Sequence, residues 1–242
     1  MKECCEERVK SKFDEWSETY DDDLSGMAAY RETVTRIGDQ VVSSGPSVVL
    51  DIGTGTGSLL FTLSERIKAK FIGIDISEQM LKKAGERLKR KGLDVELKKG
   101  SFLSIPLPDH SVDTVISNMA LHHLPDHEKA KAAREISRVL KDDGRAIIGD
   151  IIFFDQLDWS NATEENILEK IKKAFGEDLG PEDVCCNMKR IIEMLREEYP
   201  TRAEHLKKCF EESGFQVEVE KVKYWFGILR AVRPSNIFQS RR

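Results

Sequence analysis

No apolar run in this 242-residue chain approaches the roughly 20 residues that a membrane-spanning helix needs, so no transmembrane helix is expected. The opening Met1-Lys2-Glu3-Cys4-Cys5-Glu6-Glu7 lacks the apolar core of a secretory signal, and a cytoplasmic location is the expectation that follows. There is no block of Lys and Arg, and the formal net charge is −5. Nucleic acid and anionic membrane are therefore not expected as partners. The cysteines number five, and no two stand at the C-x-x-C spacing of a zinc site or redox pair. An odd count in a cytosolic chain argues against a disulfide framework. Internal repeats and low-complexity segments are missing as well. What remains is a chain with 40% apolar residues, long enough for one sizeable α/β domain with its own core.

Residues 3–20 read as a charged amphipathic helix, with Val9, Phe13, Trp16 and Tyr20 close to helical spacing. Asp21-Asp22-Asp23 and Gly26 interrupt it, and a second helix over 27–43 ends at Ser43-Ser44-Gly45-Pro46. Strands and helices then alternate. Strands are expected at Ser47–Ile52, Phe71–Ile76, Val95–Lys98, Val112–Ser117 and Arg145–Phe153, and helices at Gly57–Ile67, 78–91 and Asp126–Leu140. Ser77 is placed to cap the second of these helices and Gly92 to end it. Asp142-Asp143-Gly144 closes the third.

Such alternation means parallel β-α-β units, whose strands are buried on both faces and continuously apolar, as Val48-Val49-Leu50 and Ala146-Ile147-Ile148 are. The rhythm breaks over 157–199, where two helical patterns suggest an insertion that caps the core; the second opens at Pro181 and carries Cys185 and Cys186. Thr201-Arg202-Ala203-Glu204 has a capping-box pattern and opens a helix to Ser213, and strands at Gln216–Lys221 and Tyr224–Val232 follow. The expected fold is α/β, a doubly wound, mostly parallel seven-stranded sheet with an antiparallel C-terminal hairpin. A single domain over 1–242 would consist of N-terminal helices (1–44), a core (45–156 and 200–233) and a helical cap (157–199).

The segment that carries chemistry is Val48-Val49-Leu50-Asp51-Ile52-Gly53-Thr54-Gly55-Thr56-Gly57-Ser58. A buried strand runs into a glycine-rich turn that opens a helix. Its glycines allow positive φ and the close approach of a ligand, and the helix N-terminus favours ligand oxygens. The spacing is G-x-G-x-G, and Ser58 stands where the dinucleotide fingerprint G-x-G-x-x-G has its last glycine. Asp51 before the first glycine would repel a pyrophosphate and attract an ammonium group. Asp75, which ends the second strand, stands where an acid accepts the two hydroxyls of an adenosine ribose.

With these residues in place, the chain resembles the class I S-adenosylmethionine (SAM)-dependent methyltransferases, strongly over about residues 10–155 and more weakly over 200–233. The likeness rests on Asp51 through Gly57, on Asp75, on Ser117-Asn118-Met119-Ala120-Leu121-His122-His123-Leu124, and on Phe13 through Asp21, which looks like the lid helix of the small-molecule subgroup that includes the ubiquinone and menaquinone C-methyltransferases. It implies SAM as the cofactor, S-adenosylhomocysteine as its product and a small-molecule methyl acceptor. It also implies a cofactor site made by Tyr20, Asp51, Gly53, Gly55, Gly57, Asp75, Ile76, Met80, Ser101, Phe102 and Asn118. Gly100-Ser101-Phe102 departs from the Gly-Asp-Ala-like motif that many relatives use to contact the adenine amine.

Other readings stay open beside this one. Asp51 can cap the glycine turn, Trp16 and Tyr20 can staple a helix to the core, and Tyr224, Trp225 and Phe226 can be core or acceptor wall. His122 and His123 are candidate bases for the acceptor, or else shape and pack their loop; being adjacent, they are expected to point in different directions. Asp150 is a further candidate base. His122, His123 and His127 are too few for a metal site, and no metal is expected. A soft ligand such as trivalent arsenic on the vicinal thiols is the minor alternative to Cys185 and Cys186 as small apolar residues. A non-catalytic SAM-binding protein and an NAD(P)-dependent oxidoreductase are the competing functions.

Overall fold

The computed structural model describes residues 5–16, 28–157, 165–175 and 197–234, with Trp159, Asn161, Thr163, Ile192 and Leu195 between them. These form α1 (Cys5–Trp16), α2 (Ala28–Ser44), β1 (Val48–Ile52), α3 (Ser58–Ser64), β2 (Lys70–Asp75), α4 (Glu78–Arg90), β3 (Val95–Lys99) and β4 (Val112–Asn118). A short 3-10 turn (Leu121–His123), α5 (Asp126–Val139), β5 (Leu140–Phe153), α6 (Ile167–Phe175), β6 (Thr201–Arg202), α7 (Ala203–Glu211), β7 (Gln216–Lys223) and β8 (Phe226–Val232) follow.

The sheet runs β3-β2-β1-β4-β5-β8-β7, with the two-residue β6 beside the end of β5. Strands β1 to β5 pair in parallel, and β8 pairs antiparallel with both β5 and β7. This is the expected parallel sheet with its terminal antiparallel hairpin. From β1 the chain moves outward through β2 and β3, then returns to β4 on the other side. The switch point, where open α/β sheets bind ligands, therefore falls between β1 and β4.

Two-residue periodicity sends alternate side chains of the central strands into two cores. Val49 packs with Ile37 of α2, Leu60 of α3 and Leu88 of α4 on one face. Leu50 and Ile52 pack with Ile136 of α5 and Phe210 of α7 on the other. Each of these side chains is buried, and each such burial stabilises by about 1.5–3 kcal/mol. The strand ends are thereby held rigid for the loops they carry. A third cluster joins Ile151 and Phe153 of β5 to Trp159, Ile167 and Ile171 of α6, Ile192 and Leu195, with Trp225 packed against it.

Ser77 caps α4 as expected, its hydroxyl accepting from the Met80 amide at 3.1 Å, and Gly92 ends the helix at φ +69°. Two local expectations fail. β5 begins at Leu140 rather than Arg145: Leu140 already pairs with Val112, and the register shifts before Thr114, so Asp142-Asp143-Gly144 bulges within the strand instead of closing a helix. Thr201 does not cap α7, because it is drawn into β6 against Ile152; Arg202 takes the N-cap position with no side-chain bond. Tyr20, Cys4, Cys185, Cys186 and most of the second helical pattern lie outside the described residues. Among the described residues no helix is long and apolar enough to cross a membrane.

Candidate functional site

The glycine turn is bound tightly to the end of β2. The amides of Gly53 and Thr54 both donate to the Ile74 carbonyl, at 2.9 and 3.0 Å, and the Gly57 amide donates to Thr54 O at 2.9 Å. The Gly55 amide donates to Asp75 Oδ2 at 2.9 Å. Four turn amides are thus already committed within the protein, and they cannot serve as the nest of free donors that a pyrophosphate needs. The glycines are required by the geometry. Gly53 has φ +71°, and a Cβ there would lie 2.5 Å from Ala120 Cβ. Gly57 has φ +77°, and a Cβ there would press on Ala84 and Leu88 of α4 at 3.3 and 3.1 Å. Gly53 therefore lets the turn pack against Ala120 after β4, whereas Gly57 lets α3 approach α4.

The turn forms one wall of a cleft of about 650 Å³, part of it open to solvent. Of the residues singled out from the sequence, Gly53, Gly55, Asp75, Ile76, Met80, Ser101, Phe102 and His123 line it; Asp51, Gly57, Asn118 and His122 stand behind the lining. Glu6, Val9 and Phe13 of α1, together with Ile52, Gly100, Met119, Ala120 and Leu124, also line the cleft. The sequence marks none of them as cofactor-binding, although Phe13 stands in the lid-like leader and Met119, Ala120 and Leu124 in the segment after β4. Val9 and Phe13 were legible as an apolar helical face, but nothing in the spacing shows that the face covers a cleft.

Asp75 is 8% exposed, and its two oxygens accept from Gly55 N and Ser77 N, each at 2.9 Å. Burial raises its pKa against the pull of these amides. Asp51 is buried beneath the turn with the Thr54 hydroxyl 2.8 Å from Oδ2, and burial pushes its pKa up to about 7. Two acidic side chains at one wall of the cleft, Asp75 in the lining and Asp51 behind it, favour a cationic ligand over an anionic one. Asn118, at the end of β4, is buried with neither amide atom hydrogen-bonded.

The opposite wall is made of side chains. In the 3-10 turn, His122 Nδ1 lies 2.5 Å from Asp150 Oδ1, and the His122 amide donates to Asp150 Oδ2 at 3.0 Å. Asp150 is thereby committed to His122. The expectation that the two imidazoles diverge fails: their centroids are 4.0 Å apart, and both reach Glu198, His122 Nε2 at 3.3 Å and His123 Nδ1 at 3.9 Å. The long Glu198 side chain bridges the turn between neighbouring residues. Burial would lower the His122 pKa, but Asp150 and Glu198 overcome it and raise it to about 9. Burial and the neighbouring His122 hold His123 well below the usual histidine range. His127 is exposed on α5 and takes no part.

Glu198 is held in place by its own segment. The Tyr199 amide donates to His122 O at 2.7 Å, and the buried Lys129 donates to Tyr199 O at 2.6 Å and Leu124 O at 2.8 Å. From α1, Lys12 reaches Glu198 Oε1 at 2.6 Å, and Arg8 reaches Glu197 O and the Tyr199 hydroxyl at 3.0 and 3.2 Å. A second cavity, about 930 Å³ including its open mouth, lies beyond this bridge and shares Val9 and His123 with the cleft. Tyr224, Trp225 and Phe226 line neither cavity; Trp225 meets Trp159 edge-on at 5.3 Å.

Comparison with known proteins accords with this geometry. Residues 49–144 match the family described as a methyltransferase domain. An uncharacterized methyltransferase of Geobacillus sp. (strain WCH70) is 35% identical over 225 residues, covering 91% of this chain and 96% of that protein. Among solved structures, the magnesium protoporphyrin IX methyltransferase of Synechocystis PCC 6803 with bound SAM has a TM-score of 0.67 at 19% identity, covering 96% of this chain and 98% of that one. A SAM-dependent methyltransferase of Aquifex aeolicus has a TM-score of 0.56 at 25% identity, covering 81% and 89%.

Proposed function

This chain belongs to the class I SAM-dependent methyltransferases, and we propose that it methylates a small molecule that enters the cleft beside His123 and α1. The observation that supports the reading most is the turn after β1: its amides are committed, and its two carboxylates oppose a pyrophosphate but suit a ligand with an ammonium group and a ribose. Bound SAM would supply an electrophilic sulfonium methyl.

The protein's part is to bind and align. Asp75 has lone pairs left beyond its two amide bonds and would accept the ribose hydroxyls. Gly53 leaves room for the backbone to approach the ligand, and Ile76, Met80, Ser101 and Phe102 would enclose the adenine. Asp51 attracts the amino group through the low-dielectric turn. Tyr20, outside the described residues, is proposed to close over the cofactor. Asn118 offers the unpaired oxygen and nitrogen of its side-chain amide at the end of β4. His123, held neutral, can take a proton only from an acceptor that is itself acidic. The cavities are of small-molecule size, which supports a small acceptor over a polymer.

Calorimetric titration with SAM, S-adenosylhomocysteine and NAD tests this. Micromolar binding of both adenosyl ligands without NAD binding is expected. NAD binding in their place would overturn it, and saturable SAM binding without methyl transfer to any acceptor would favour a non-catalytic SAM-binding protein.

A further inference from the structure

We propose that His122 Nε2, His123 Nδ1 and one oxygen of Glu198 form a site for a divalent first-row cation of the zinc type, set between the cofactor cleft and the second cavity. Among the described residues these are the group whose ligand atoms converge, all within 4.8 Å of one another. His122 Nε2 and Glu198 Oε2 are 3.3 Å apart. Ligands at about 2.0–2.1 Å from a tetrahedral ion stand about 3.3 Å from each other. Asp150 takes the other ring nitrogen of His122 at 2.5 Å and also its backbone amide, which fixes the ring with Nε2 turned to Glu198. A carboxylate behind a ligating imidazole is the usual support of a metal-bound histidine.

A proton shared by His122 and Glu198 would account for that pair alone. It leaves unexplained why His123, from the next residue, turns Nδ1 toward the same carboxylate, 3.9 Å from its Oε1 and with all three ligand atoms of the group within 4.8 Å of one another. Lys12 occupies Glu198 Oε1 and leaves Oε2 for the ion. Three protein ligands leave a fourth position open, the pattern of catalytic rather than structural sites. Because His123 and Glu198 both line the second cavity, that position is reached from there. An acceptor hydroxyl or thiol bound to the ion would become more acidic, and so easier to methylate. This link to the acceptor rests on the methyltransferase reading; the ion site does not.

The test uses the full chain, freed of metal by a chelator and titrated with ZnCl2 by calorimetry and with CoCl2 by visible absorption. One ion per chain is expected. It should persist after alkylation of all thiols, and the cobalt spectrum should lack thiolate charge transfer. Glu198→Gln and His123→Ala should each weaken binding more than about 100-fold, and Asp150→Asn about 10–100-fold. Circular dichroism checks that each variant folds; where Glu198→Gln loses structure, His123→Gln decides. Absence of stoichiometric zinc overturns the proposal. So does zinc that alkylation removes while Glu198→Gln retains it, since that ion would belong to the cysteines. SAM titration of the same wild-type sample separates the two readings: SAM binding without zinc binding removes only the ion site.

Discussion

The two walls of the cleft are built by different means. The wall made by β1, β2 and the turn between β1 and α3 is largely backbone, with residues close in sequence tied by amide bonds to Ile74 and Asp75. The facing wall is made of side chains from α1 and the turn after β4, backed by residues 197–199 through Glu198, Lys12 and Arg8. The first wall tolerates almost no change of shape. The second can part more cheaply along α1, because its tie is a side-chain ion pair at the edge of solvent, with Lys12 39% and Glu198 11% exposed, and such a partly exposed pair contributes about 1 kcal/mol.

That contrast can be tested through cofactor affinity, in falling order of effect. Gly53→Val should be the most damaging. Its side chain meets Ala120 at once, and φ +71° strains any β-branched residue. SAM binding should be lost, with a destabilisation of about 2–4 kcal/mol in urea unfolding. Retained SAM binding would show that the backbone wall is not the cradle. Asp75→Ala should follow, weakening SAM roughly 30–100-fold by calorimetry, the equivalent of about 2–3 kcal/mol for lost hydrogen bonds to a carboxylate.

Asp51 sharpens the comparison through pH. Its folded pKa of about 7 exceeds the ordinary 3.8, so between these values the folded chain holds a proton that the unfolded chain has released. Its contribution to stability is therefore complete below about pH 4 and is lost as pH rises through 7. Asp51→Asn should abolish that decline in thermal unfolding. A cationic amino group favours the ionised form, and the ionised fraction grows about fivefold between pH 6 and a pKa of about 7, so SAM affinity should rise up to about fivefold from pH 6 to 7 in the wild type and stay flat in the variant. Lys12→Met, on the side-chain wall, should have the smallest effect. It should shift stability by less than about 1 kcal/mol and leave SAM affinity within about threefold, while stopped-flow measurement shows faster SAM release as α1 loosens.

Much of the cofactor wall was legible because its signals are local. The Gly53-Thr54-Gly55-Thr56-Gly57 spacing, the apolar strand before it and Asp75 at the end of the next each follow from backbone rules that act over a few residues. The same local rules misjudged β5 and Thr201, where pairing with a distant strand outweighed the turn and cap signals. Glu198 carried no signal at all: it stands in a charged stretch, Arg196-Glu197-Glu198-Tyr199, that reads as a solvated helix face. Val9 and Phe13 were visible as an apolar stripe, but a stripe does not say what it covers.

The sequence by itself determined the alternation of strand and helix, the parallel sheet with its antiparallel end, and the glycine turn with its two acids. Side-chain periodicity and positive-φ glycine are properties of short segments, so they survive without knowledge of the rest. Only the tertiary structure decided that His122 and His123 converge rather than diverge, that Asp150 serves His122, and that a glutamate 75 residues beyond His123 joins them. Those contacts depend on how α1, the 3-10 turn and residues 197–199 are packed together, and packing between distant segments leaves no periodic trace in a single chain.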